Sequence, residues 1–187
     1  MKVKGNVSPW AALAAGLIIY FSSARNLTAL ALPVLAHELG HVLALCAFGC
    51  RIREISLELG GLCLRYAGSP GPKAAAAAAF AGPLAGVLYA LAATQYGSFG
   101  ALSAGFSLIL SAYNLIPAQP LDGGRIAEAL LLPRTANILS LISATATVGF
   151  GLWLFVEGKG AALAVAGLYL FAWQFFPQTK SSSILPD

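Results

Sequence analysis

Leu35-Ala36-His37-Glu38-Leu39-Gly40-His41 places the only two histidines of the chain four residues apart inside an apolar run. On a helix, positions i and i+4 share a face, so both imidazoles can reach one ion, and the glutamate after the first histidine sits beside whatever that ion holds. The apolar setting makes the pattern informative about fold as well as chemistry. A glutamate deep in a membrane helix costs about 2.5 to 3.5 kcal/mol on insertion scales, so an ionisable residue there is a functional candidate by default. By residue type this is a zinc hydrolase layout; two core histidines beside a chance glutamate is the plainer alternative.

The surroundings favour a membrane. The 187 residues are 58% hydrophobic and 10% charged, whereas about a quarter of the residues in a soluble domain are charged. Mean hydropathy is +0.79, and the apolar runs extend along the whole chain instead of forming one anchor. The predicted class is an α-helical polytopic membrane protein, a single membrane-embedded domain over residues 1–187. The net charge of +4 comes from basic residues at the ends of apolar runs, where lipid headgroups and topology explain them, so nucleic acid is not an expected partner. Cys46, Cys50 and Cys63 make no disulfide framework and read as small buried apolar residues, with a second metal site the poorer alternative.

About six transmembrane helices are expected. The first, from about Pro9 to Phe21, follows Lys2 and Lys4 and precedes Ser22-Ser23-Ala24; a retained span is preferred over a cleaved signal peptide. The second, about Leu27 to Gly49, carries the histidines, and Pro33 within it frees the carbonyl of Ala29. Residues 51–68 then change period. Ile55, Leu57 and Leu59 alternate with Ser56 and Glu58, Gly60-Gly61 breaks the run, and Leu62, Leu64 and Tyr66 alternate with Cys63 and Arg65. This reads as a membrane-associated β-hairpin whose strand edge, Ile55 to Leu59 or Leu62 to Tyr66, could hold an extended peptide; an amphipathic connector is the alternative.

The third span, about Lys73 to Tyr96, contains Phe80-Ala81-Gly82-Pro83 and a Gly82/Gly86 pair suited to close helix approach. The fourth runs from about Ala101 to Ile116 and ends in Asn114-Leu115-Ile116-Pro117-Ala118-Gln119-Pro120-Leu121-Asp122-Gly123-Gly124-Arg125. Two prolines and two glycines around an aspartate give irregular backbone, tolerated at a span end if it is buried in protein or lines a wet cavity. Asp122 would complete a three-ligand zinc site with the fourth position open; a turn aspartate is the equal alternative. An interfacial helix, Arg125 to Leu132, precedes spans from about Asn137 to Val156 and Ala161 to Phe176, with no charge in their interiors and assigned to packing, lipid contact or gating. The tail Gln178 to Asp187 is short and polar, with no soluble domain expected after it.

With an inward N-terminus, nine basic residues (Lys2, Lys4, Arg51, Arg53, Arg65, Lys73, Arg125, Arg134 and Lys180) fall inside and two, Arg25 and Lys159, outside. The expected location is therefore the cell membrane, with the N-terminus, the hairpin and the Asp122 loop on the cytoplasmic side.

The ordered pair His37-Glu38-Leu39-Gly40-His41 and Asn114-Leu115-Ile116-Pro117 with Leu121-Asp122-Gly123 resembles the site-2 protease family of intramembrane zinc metalloproteases, over about residues 27–130. Phe80-Ala81-Gly82-Pro83 also looks like a family feature, and the span layout is most similar to the bacterial sporulation-type branch, which matures a pro-sigma factor. The resemblance implies Zn2+ bound by His37, His41 and Asp122, Glu38 as catalytic base, and Asn114 positioning substrate or the developing oxyanion. It also implies a three-helix catalytic core, followed here by a two-helix extension at about 134–177. Neither a PDZ insertion nor a CBS domain is read in this chain. The implied substrate is a membrane-spanning or membrane-associated protein, with regulatory membrane partners conceivable. A non-catalytic metal-binding scaffold and a small ion transporter remain the rival classes; transport that survives Glu38→Gln would favour the latter.

Overall fold

Serines and prolines start several helices of this chain. The computed structural model describes residues 4–58 and 61–175, in the order β1 (Lys4–Val7), α1 (Pro9–Phe21), α2 (Ala24–Ala47), β2 (Arg51–Glu58), β3 (Gly61–Ala67), α3 (Pro72–Ala93), α4 (Gly97–Asn114), α5 (Asp122–Leu130), α6 (Pro133–Val156) and α7 (Ala162–Trp173). Ser8 and Ser23 cap α1 and α2 by accepting from the backbone N–H of Ala11 and Asn26. Prolines stand in the first turn of α1, α3 and α6, where the missing N–H has no helical partner to lose.

The protein is mostly helical, and three helices among the described residues, α2, α3 and α6, are long and apolar enough to cross a membrane. With 13 and 12 residues, α1 and α7 fall short of the roughly 20 that a straight crossing needs. Helix α4 has 18 residues, and its apolar run is diluted by serine and glycine. The expectation of six spans thus meets three helices that qualify by length and composition. The expected tail, Gln178 to Asp187, lies outside the described residues.

Small residues face inward and large ones outward. In α2 the buried positions are Ala29, Pro33, His37, His41 and Leu45, one every four residues, while Leu32, Leu35, Leu39 and Leu43 are exposed. In α3 the buried set is alanine, glycine and proline alone, with Leu84, Leu88 and Leu91 exposed. Large exposed aliphatic side chains over small buried ones suit a lipid surround, where packing and not water exclusion holds helices together.

The described residues fall into two units, 4–112 and 113–175. In the first, α2 lies on α3 so closely that a Cβ on Gly40 would meet the Ala81 carbonyl oxygen at 2.5 Å and the Ala85 Cβ at 2.7 Å. Helix α4 is tied in by hydroxyls: Ser103 Oγ donates to the Ala29 carbonyl at 2.8 Å and Ser107 Oγ to the Gly86 carbonyl at 2.7 Å. The Ala29 carbonyl is the one Pro33 leaves without a helical donor, so a serine from a neighbouring helix supplies the bond.

In the same unit β2 is the central strand of three. It pairs antiparallel with β3 from Arg51↔Ala67 to Glu58↔Gly61, with an irregularity between Ile52 and Glu54, and the facing pair Glu54 and Arg65 is joined by a 3.3 Å ion pair. Of the turn expected at Gly60-Gly61, Gly60 lies outside the described residues and Gly61 begins β3. Strand β1 was not expected, since Lys4-Gly5-Asn6-Val7 has neither alternation nor more than one β-branched residue. It pairs parallel with β2, from Lys4↔Glu54 to Val7↔Leu57. That corrects the view of Ile55 to Leu59 as an available edge: β1 already lies along it through Leu57, and among the described residues the outer edges of the sheet are those of β1 and β3.

In the second unit α6 and α7 pack through glycines. A Cβ on Gly151 would meet the Ala164 nitrogen at 2.5 Å, and one on Gly167 the Val148 nitrogen at 2.7 Å. The core joins Ala144 of α6 and Leu170 of α7 to Ala118 and Leu121, with Tyr113 and Ile116 against it. The irregular segment ahead of Asp122 is therefore an inner part of this unit.

Candidate metal centre

The histidine pair sits on the buried face of α2, where residues four apart lie one turn above another. His37 is 3% and His41 6% exposed. Their Nε2 atoms are 3.2 Å apart, and the rings meet edge to face, with centroids 4.8 Å apart and planes at 78°. His41 Nδ1 lies 2.8 Å from the Ala78 carbonyl oxygen. A carbonyl can only accept, so Nδ1 carries the proton and donates, leaving the Nε2 lone pair directed at the His37 side. This is the outer bond that orients a metal-binding imidazole and sets its tautomer.

Helix α3 shapes the space for that ring. A Cβ on Gly82 would collide with Nε2 and Cε1 of His41, so only glycine at this position admits the imidazole. Gly86, one turn on, has Ser111 and Ser107 against it. The Gly82/Gly86 pair does bring helices close, and at Gly82 the close neighbour is a candidate ligand.

Glu38 is half-buried on α2 next to His37. In the second unit, Asp122 is the first residue of α5 and 5% exposed. Arg125 Nη1 lies 3.7 Å from its Oδ1, and the carboxylate stands at the N-terminus of the helix. Asn114 closes α4 and is half-buried.

The donor set named by the sequence, His37, His41 and Asp122, is buried at every member. Two imidazole nitrogens and a carboxylate oxygen are zinc-type donors, and tetrahedral coordination with Zn–N of about 2.0 to 2.1 Å separates ligand nitrogens by about 3.3 Å. The 3.2 Å between the histidine Nε2 atoms fits that requirement.

Comparison with known proteins agrees with this chemistry. No family model matches the chain. A Mycobacterium tuberculosis protein that carries the name of a zinc metalloprotease, Rip3, is 30% identical over 199 residues, covering 89% of this chain and 49% of its own. A second protein so named, sll0528 of Synechocystis sp., is 36% identical over 135 residues, covering 65% of this chain and 35% of its own. The chain thus spans about half or less of the curated relatives it matches. The structure of a site-2 protease from Methanocaldococcus jannaschii superposes with a TM-score of 0.63 at 22% identity, over 100% of this chain and 95% of that one. The chain has the fold of a site-2 protease, and the relatives it matches carry the name of zinc metalloproteases.

Within a site-2 protease fold, sequence reasoning named the ligand-type side chains and missed their supports. The Ala78 carbonyl could not be seen, because backbone acceptors carry no residue signal. Gly82 was visible but read for helix packing alone. The signal that could have found Ser140 is a polar residue inside an apolar helix, and for Gln174 a polar residue at the end of one.

Proposed function

We propose that this chain is an intramembrane zinc metalloprotease that hydrolyses peptide bonds of membrane-spanning or membrane-associated proteins. The observation that carries the reading is the pair of buried Nε2 atoms 3.2 Å apart, with His41 held by the Ala78 carbonyl. In this reading His37, His41 and Asp122 hold zinc and Glu38 is the catalytic residue. Zinc bound there supplies Lewis acidity to a water molecule and to the scissile carbonyl. Glu38 takes the proton from the attacking water and returns it to the departing amine. Asn114 hydrogen-bonds the substrate or the developing oxyanion.

The finer architecture belongs to the same proposal. Six crossings place the N-terminus and the opening of the site at the cytoplasmic side of the cell membrane, with α1, α4 and α7 as the shorter ones. Residues 27–130 carry the catalytic core and residues 134–177 a two-helix extension. The β2–β3 hairpin lies at the membrane surface, and a locally unwound substrate adds to the outer edge of β3. Regulatory membrane proteins are a further expected class of partner.

The test is zinc content and processing of a panel of single-span reporter proteins by purified wild type, Glu38→Gln, His37→Ala and Asp122→Ala. Glu38→Gln keeping zinc but not cutting, with both ligand variants losing zinc and cleavage, is the expected result. Asp122→Ala binding zinc like wild type would remove the third ligand. Wild type that holds no metal and cuts nothing would leave a non-catalytic protein. Unchanged processing after proline substitutions along β3 would remove the strand edge from substrate binding.

A further inference from the structure

Gln119 stands three residues before Asp122, and side chains of the last two helices hold both of its backbone polar groups. Its N–H donates to Ser140 Oγ of α6 at 2.8 Å, and its carbonyl accepts from Gln174 Nε2, at the end of α7, at 3.2 Å. Ser140 Oγ in turn donates to Gln174 Oε1 at 3.0 Å, which closes a ring through three residues. Gln174 Nε2 gives its other proton to the Leu170 carbonyl at 3.1 Å. Ser140 is 3% exposed and Gln119 and Gln174 are half-buried, and the amide protons and oxygen of Gln174 are all used.

The peptide so held leads directly to Asp122. The Leu121 N–H donates to the Ala118 carbonyl at 2.9 Å and the Arg125 N–H to the Leu121 carbonyl at 3.1 Å. On the other side the first turn of α5 presses against the same segment. A Cβ on Gly124 would meet the Gln119 nitrogen at 2.7 Å, and one on Gly123 the Ile116 carbonyl oxygen at 2.5 Å. The backbone from Leu115 to Gln119 is therefore caught between two glycines of α5 and a hydrogen-bonded ring anchored on α6 and α7. Asp122 cannot shift without breaking one of these contacts.

We infer that Ser140 and Gln174 are positioning residues for Asp122: by fixing the Gln119 peptide they fix where the Asp122 carboxylate stands as a metal ligand. This rests on the zinc reading above. A segment with two prolines and no regular hydrogen-bond ladder would otherwise populate several conformations, each presenting the carboxylate differently. Groups that orient metal ligands from outside typically change affinity 10- to 100-fold when removed. The inference also gives the last two helices a task beyond lipid contact.

The experiment measures zinc affinity, thermal midpoint and the visible spectrum of the cobalt-substituted protein for the full chain in micelles. Wild type, Ser140→Ala, Gln174→Ala, the double variant, His37→Ala and Gly151→Ala are compared. Gly151→Ala disturbs the α6–α7 contact without touching Gln119, and so controls for loosened packing. Ser140→Ala and Gln174→Ala should each weaken zinc about tenfold and alter the cobalt spectrum, and the double variant should resemble either single one, since one ring is broken in all three. Gly151→Ala should lower the midpoint and keep wild-type affinity and spectrum. Ser140→Ala and Gln174→Ala with wild-type affinity and spectrum, or Gly151→Ala as weak for zinc as Ser140→Ala, would overturn the inference while leaving the zinc reading intact. Wild type without zinc affinity, or His37→Ala binding as well as wild type, would overturn the zinc reading and the positioning role with it.

Discussion

At the scale of single residues, the identity of a glycine depends on what faces its α-carbon. Gly82 faces the His41 ring, whereas a Cβ on Gly105 would meet nothing within 4 Å. Gly82→Ala should therefore push the imidazole off the Ala78 carbonyl and weaken zinc tenfold or more, while Gly105→Ala should be neutral or stabilise by about 0.5 to 1 kcal/mol through reduced backbone entropy. Zinc titration and thermal melts of the two variants check both. The cysteines divide in the same way. Cys46 is exposed and Cys50 buried, and burial, then the neighbouring Cys46, pushes the Cys50 thiol above its ordinary range. Maleimide should therefore label Cys46 well before Cys50, as read by mass spectrometry. Because the folded state holds the Cys50 proton to higher pH than the unfolded chain, its contribution to stability is complete below the ordinary thiol pKa. That contribution is lost as pH rises through the raised value, and Cys50→Ala should remove that part of the alkaline decline.

At the scale of elements, the chain compensates for its own helix breakers. Pro33 leaves the Ala29 carbonyl without a donor, and Ser103 supplies one while its oxygen stands 2.7 Å from the Tyr89 hydroxyl. Ser103→Ala should destabilise by about 1 kcal/mol. Adding Pro33→Ala should recover part of that loss, because residue 33 then has an N–H for Ala29. A double-mutant cycle in denaturant, with a coupling energy near zero as the adverse result, decides it. The β-sheet shows where element-level reading stopped. Alternation over Ile55 to Tyr66 announced two strands, but a four-residue strand such as β1 is defined by its partner and not by its own pattern.

For the whole molecule, a ligand that binds only the folded state stabilises it in proportion to its saturation. At a free zinc concentration about 1,000-fold above its dissociation constant the gain is about 4 kcal/mol. Chelation should therefore lower the thermal midpoint of the wild type by several degrees and leave His37→Ala unmoved. Equal shifts in the two proteins would mean that the chelator acts elsewhere. Sequence alone determined the membrane class, the HExxH pair and the candidates Glu38, Asp122 and Asn114, because hydropathy and i, i+4 spacing are local properties that survive without knowing what lies opposite. Only the tertiary structure decided that the two Nε2 atoms converge at 3.2 Å, that Ala78 orients one of them, and that Gly82 leaves room for the ring. It also decided that Ser140 and Gln174 grip Gln119, and that β1 occupies the edge of β2. For the histidine pair the i, i+4 spacing left only the ring orientations open; each of the others joins residues far apart in the chain, often through a backbone atom common to every residue type, so no pattern of side chains could announce them.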